Sequence, residues 1–316
     1  MASSQNGESL YFTGEAPCVH QQAVLLKTWN QEYIQVSNGE FHGSVESVNV
    51  ADVRLFDERM NQRVLQKGAT PEDVLAVGIP LRMGGDAILC GKVCGQGDLH
   101  VFSSSGEFEY LSPPGFAFIG IEIPLKDDVR RQLDETEFVA NKRCRKIRKI
   151  SVDPRKAATL REAILCLFQL QKREPSILDH NQQLRRTLIS SVVGIMQDGD
   201  FDADADRLSN PWNLVRRIRD VVVDNPDCPI SMTDLAKTLG TSRRSIQYAC
   251  RSILHTTAVD YLRIIRLNRV RMELAWCPTV TYAATEWGFW HLGNFAKDYR
   301  RLFGELPSET HRRARS

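Results

Sequence analysis

Side chains able to read a base pair cluster near the end of this 316-residue chain. Arg243, Gln247 and Arg251 fall four apart, flanked by Arg244 and Tyr248. Arginine can grip guanine with two hydrogen bonds and glutamine can do the same for adenine. One helical face carrying both types is therefore base-reading equipment. Further on, His291, Asn294, Lys297 and Arg301 recur three or four apart, a second outward face able to meet bases or phosphates. A single face of this kind is also what any charged, solvated helix offers; two faces on units of the same internal design point to DNA.

The elements that must position these side chains are legible around them. Residues 232–253 read as helix, tight turn, helix, with Leu235, Ala236 and Leu239 lining the first helix. Gly240 can supply the positive φ of the turn, and Ser242 is a good N-cap for the second helix. Ile246, Ala249 and Ile253 face inward at helical spacing. Residues 280–303 repeat the scheme, with Ala284 and Gly288 four apart, a turn about one residue longer, and Phe295, Tyr299 and Leu302 inward. Pro307 then stops the helix. Between the two units, Thr257–Trp276 has no Pro or Gly and reads as one helix with two apolar stripes, Leu262/Ile265/Met272 and Ile264/Leu267/Val270/Leu274. Its length of roughly 30 Å is close to the ~34 Å between successive major grooves, which suits a strut holding two recognition helices.

The front of the chain has another texture. Residues 23–36 predict a short amphipathic helix with Leu25, Trp29 and Tyr33 four apart. From Phe41 to Ile123 come short β-like runs, FHGSVESVNV, DVRLFDERM, EDVLAVGIPL, DAILC, DLHVF, EFEYL and FAFIGIEI, punctuated as in a sandwich or barrel. A barrel of that size holds one small ligand, and Trp29, Arg54 and Phe56 are candidates to line its pocket. Residues 126–198 predict helices striped by Leu160/Ile164/Leu167/Leu170 and Leu184/Leu188/Val192/Ile195, which either pack on the barrel or pair with a second chain. The run at 142–149 (KRCRKIRK) could touch phosphate or form a solvated face. The predicted architecture is α+β. Residues 1–140 form a cupin-like effector-sensing β-barrel and 141–198 a helical, dimerisation-competent segment. Residues 199–213 are a linker, and 214–315 an all-α tandem helix-turn-helix DNA-binding domain.

Charge supports two jobs in one chain. The whole carries a net +2, but residues 1–140 hold 10 basic and 20 acidic side chains, residues 141–210 hold 14 and 9, and residues 211–316 hold 17 and 10. An acidic front and a basic back fit a reading domain for a polyanion. Catalytic signatures are missing from the sequence. His42 and His100 stand alone where a metal cupin would need clustered ligands, and Cys90 and Cys94 have no second ligand pair at zinc spacing. GKVCGQG (91–97) reads as a turn, not a phosphate loop, and no Gly-x-Ser-x-Gly elbow occurs. The aspartates at 198, 200, 202 and 204 lack the Gly and closing Glu of a calcium loop. No metal site and no enzyme are expected. Without an export signal or an 18-residue apolar run, the protein is expected to be cytoplasmic, with no membrane partner.

The tandem units, ending in EWGF…F…YRRLFGELPS, resemble the AraC/XylS family of bacterial transcription regulators over about 214–315. The resemblance implies a seven-helix DNA-binding domain joined to a barrel that senses and dimerises. It places base contacts on Arg244, Gln247 and Tyr248, with Arg243 nearby, and on Leu292, Gly293, Asn294 and Lys297. Implied partners are double-stranded promoter DNA, RNA polymerase, a small-molecule effector and a second copy of the chain. SRRSIQ, YLRIIRLNRVRMEL and WGFWHLGNFAKDY are most similar to the branch that regulates ethanolamine operons, and TWNQEY and GEFHG extend that likeness into the front. By resemblance alone this branch would bring cobalamin as a cofactor; no residue here demands a corrinoid, and none is assigned. The expected function is effector-controlled activation of a catabolic or metabolic operon. The alternatives are a ligand-independent regulator or repressor whose barrel only dimerises, and a barrel enzyme fused to a DNA-binding module.

Overall fold

The computed structural model describes residues 11–102, 104, 106–134, 148–174, 177–201, 210–226 and 230–315. Residues 142–147 of the basic run and 202–209 of the linker lie outside the described residues. The described ends of the linker are not free chain, since 200–201 form a strand and 210–213 open a helix. Strands β1 (Tyr11–Ala16), β2 (Asn30–Gln35), β3 (Gly43–Val50), β4 (Val53–Met60), β5 (Val64–Ala69), β6 (Val74–Arg82) and β7 (Ala87–Leu89) come first. They are followed by β8 (Lys92–Cys94), β9 (Asp98–Phe102), β10 (Glu107–Ser112), β11 (Phe116–Pro124), β12 (Arg148–Ser151) and β13 (Asp200–Phe201). They form two sheets, ordered β1-β3-β4-β11-β6-β9-β12-β13 and β2-β5-β10-β7-β8, with every pair antiparallel.

Strand alternation sorts side chains into layers. Phe56, Phe116 and Phe118 of the larger sheet meet Tyr33, Val64, Phe108 and Tyr110 of the smaller one in an aromatic core. Leu55, Ile119, Ile121 and Ile123 point the other way, into a second core closed by α3 (Pro154–Arg173) and α4 (Gln182–Gln197). The two helices therefore pack on the barrel, and β12 and β13 sew their segment into its larger sheet. Two glycines let the inner rings approach: a Cβ at Gly120 would sit 2.0 Å from the Phe56 ring, and one at Gly78 would sit 1.8 Å from Phe118. The front also carries α1 (Val19–Leu25) and α2 (Asp127–Asp134).

The predicted helix over 23–36 is corrected. Helix α1 ends at Leu25, and residues 30–35 are β2, with Tyr33 paired opposite Gln66 of β5. Leu25, Trp29 and Tyr33 are four apart, a spacing that satisfies both a helical stripe and every second strand position. Pairing with β5 decided for the strand.

The C-terminal part is all helical: α5 (Asn210–Val223), α6 (Met232–Leu239), α7 (Arg243–Leu254), α8 (Ala258–Glu273), α9 (Val280–Glu286), α10 (Leu292–Phe303) and α11 (Pro307–Arg313). Together with Ile34, Val36, Leu65, Ile88 and Leu111 from the outer face of the smaller sheet, they share one core. The strut α8 is shorter than predicted, 16 residues or roughly 24 Å, because the chain turns from Leu274 to Trp276. Met272 is 38% exposed and off its predicted stripe. A third face of α8 meets the barrel. Asn268 Nδ2 donates to Gln35 O and Gln35 N donates to Asn268 Oδ1, both at 3.0 Å.

Candidate nucleic-acid interface

Each helix-turn-helix is built by its own local chemistry. Gly240 adopts φ +62°, where a glycine meets no steric penalty, and Thr241 N donates to Ala236 O at 3.0 Å. Ser242 Oγ accepts from Ser245 N at 3.0 Å, capping α7. The second unit repeats this closure: Gly288 sits at φ +73°, and Phe289 N donates to Ala284 O at 2.9 Å. Two residues separate Gly240 from the start of α7 and three separate Gly288 from the start of α10.

Helix α7 buries Ile246, Ala249, Cys250 and Leu254, leaving Arg244, Tyr248 and Arg251 exposed on the opposite side, Tyr248 by 64%. Arg244 and Tyr248 line an open groove of about 630 Å³ between α5 and α7, shared with Asn213 and Arg217. Arg243 turns aside to donate to Thr233 Oγ1. Gln247 is half-buried, and its Oε1 accepts from Ala258 N at 3.2 Å, so it caps the strut in this structure. Helix α10 buries Phe295, Tyr299, Leu302 and Phe303 and exposes His291, Asn294, Lys297 and Arg300. Arg301 pairs with Asp298 at 3.4 Å and lines a cleft against Ser37 and Asn38 of the barrel.

Sequence reasoning passed over Trp290, which is 67% exposed just ahead of α10. Its signal was an aromatic at a turn where the first unit carries only polar residues.

The barrel encloses a cavity of about 20 Å³ between its sheets, space for roughly one water-sized group. Trp29 and Phe56 line it, as do Tyr33, Glu58, Gln66, Phe108 and Tyr110. Trp29 Nε1 donates to Glu122 Oε1 at 2.6 Å. Arg54 does not line the cavity; it donates to Thr28 and to Glu122 at the rim and so holds the carboxylate that fixes Trp29. Glu58 accepts from Tyr33 Oη and Gln22 Nε2, yet burial pushes its carboxyl up to about 7. Gln66 Nε2 and Tyr110 Oη find no hydrogen-bond partner among the described residues. Glu58 was legible in principle, since Arg54, Phe56 and Glu58 share one face of β4 by alternation.

Comparison with known proteins places the C-terminal part. Residues 235–313 match the family model of a helix-turn-helix domain. The chain is 34% identical over 100 residues to the "Probable thc operon regulatory protein" of Rhodococcus erythropolis, covering 30% of each chain. It is 38% identical over 101 residues to "XylDLEGF operon transcriptional activator 3" of Pseudomonas putida, covering 31% of this chain and 30% of that one. Thus the matches span about 30% of the length of these curated relatives. The solved structure of "a probable AraC family transcriptional regulator" from Rhodopseudomonas palustris is 37% identical, with 33% of this chain and 99% of that one covered and a TM-score of 0.31.

Proposed function

We propose, on the premise that residues 235–313 are a helix-turn-helix domain of the AraC kind, that the whole chain is a sequence-specific DNA-binding transcription regulator. It activates an operon when a small molecule occupies its barrel. The observation that carries this reading is the pair of helix-turn-helix units on one strut, each with its apolar face buried and Arg244, Tyr248 and Arg251 or Asn294 and Lys297 exposed. Arginine and lysine there supply attraction to phosphate, and the side chains between them supply base contacts.

Effector control is supported by a sheet that works on both faces. On β2, Gln31 and Tyr33 line the cavity, while Glu32 pairs with Arg269 at 2.7 Å and the backbone of Gln35 binds Asn268. On β10, Phe108 and Tyr110 line the cavity, while Glu109 pairs with Arg219 at 2.5 Å. A ligand that displaces Tyr33 or Tyr110 moves the strands on which α5 and α8 rest. RNA polymerase and a second copy of the chain complete the proposed partners. The likeness to regulators of ethanolamine operons makes amino alcohols, with and without cobalamin, the first ligands to try.

The reading is tested by selecting duplexes from a random library with the full chain, then titrating the selected duplex with and without amino alcohols. Enrichment of one bipartite sequence, bound more tightly when a ligand raises the melting temperature, is the expected result. A library that never enriches would refute DNA reading; enrichment with no ligand effect would leave a ligand-independent regulator.

A further inference from the structure

The two recognition helices begin with different chemistry. Helix α7 opens on Ser242, Arg243 and Arg244, all exposed and polar. The approach to α10 is Trp290, His291, Leu292 and Gly293, with Trp290 67% and Leu292 41% exposed. Recognition helices present their N-terminal residues to base edges, so these apolar groups stand where a base would meet them. Exposure alone assigns nothing: Trp276 is 86% exposed, but it follows the strut. Position and neighbours separate the two tryptophans.

Gly293 is the second observation. It lies within α10, its φ is not positive, and an added Cβ would meet no atom within 4 Å. Neither backbone conformation nor packing inside the chain calls for glycine, although glycine costs a helix about 1 kcal/mol relative to alanine. At the start of an exposed helix, a missing Cβ lets something outside the chain approach the helix backbone closely. Exposed His291, Lys297 and Arg300 around it favour a polyanion as that partner. In the major groove, thymine is the base with an apolar group at its edge, the C5-methyl.

We propose that the second helix-turn-helix reads thymine methyl groups through Trp290 and Leu292, with Gly293 admitting the base edge to the helix backbone. The inference rests on the DNA-binding reading above. It makes the two half-sites chemically unlike: polar and purine-directed under α7, thymine-directed under α10.

The test uses the full chain and the duplex it enriches from a random library. Each dT is replaced in turn by deoxyuridine, which removes only the methyl group. Binding should weaken roughly fourfold at one or two adjacent positions in one half-site, the worth of one buried carbon, and be unchanged elsewhere. In Trp290→Ala, whose melting temperature should match the parent because the ring is exposed, that uridine penalty should vanish. Gly293→Ala should raise the melting temperature and weaken binding of the selected duplex, a split that a purely structural glycine would not produce. The proposal is overturned if no dT position responds to uridine, if the penalty survives in both Trp290→Ala and Leu292→Ala, or if Gly293→Ala binds as the parent does. A library that never enriches removes the DNA-binding reading itself, and this one with it.

Discussion

Glu58 shows how a single buried group makes this protein sensitive to pH. With its carboxyl raised to about 7 from 4.5, the folded chain holds a proton that the unfolded chain releases between those values. Its stabilising contribution is full below pH 4.5 and is lost as pH rises through about 7. Glu58→Gln keeps a hydrogen-bonding group without the charge. Its melting temperature should exceed the parent's above pH 7, and the gap should close toward pH 5. A gap independent of pH would contradict the assignment. His20 and His100 act in the opposite sense: burial lowers both to about 4, so their contribution is present above pH 6.5 and lost as pH falls toward 4. Comparing variant with parent isolates Glu58 from them. On the proposed function, Gln247 has two tasks, capping the strut and reading a base. To read adenine its amide must release Ala258 N, so Gln247→Ala should cost about 1 kcal/mol in stability. It should also relax preference at one base pair by roughly 1–3 kcal/mol. Thermal melts and competition among single-substituted duplexes measure the two effects separately.

At the level of elements, α8 is the part through which everything is joined. It buries Tyr261, Leu262, Ile264, Ile265, Leu267 and Val270, and it accepts the barrel through Asn268. Two apolar stripes in the sequence announced contacts on two sides. The third side is polar, and an asparagine in a sequence gives no sign of whether its partner is water or another strand's backbone. In the fold, Asn268 meets the N–H and C=O of Gln35. Asn268→Ala orphans both buried groups, at about 1–3 kcal/mol each. We expect a lower melting temperature and faster amide hydrogen exchange along β2. Unchanged exchange at β2 would show that the barrel does not rest on α8 in solution.

For the molecule as a whole, separation of charge governs association. The basic back should give binding that weakens steeply with salt. Arg251→Ala should lower the slope of log affinity against log salt by about 1, whereas Arg301→Ala, paired with Asp298 beside the barrel, should leave it unchanged. Equal slopes for both variants would mean that Arg301 also reaches phosphate. The acidic front contributes to docking as well: Glu109 and Glu32 are the partners that hold Arg219 of α5 and Arg269 of α8.

The helix-turn-helix units were legible from sequence because their determinants are local. Gly240 and Gly288 at positive φ, the Ser242 cap and the inward stripes of α7 and α10 all act within about one helical turn. Seven of the strands were visible as runs, since β3, β4, β6, β7, β9, β10 and β11 alternate or are buried on both faces. Strand β2 was not, because its identity depends on Gln66 and the rest of β5, about thirty residues away. The same holds for the cavity. Alternation could put Phe56 and Glu58 on one face, but only closure of the two sheets brought Glu58 against Tyr33 and left Arg54 at the rim with Glu122. Sequence by itself determined what is set by backbone conformation, capping and period. Tertiary structure decided which polar groups meet, because those meetings depend on segments distant in the chain and on which side chains lose their water.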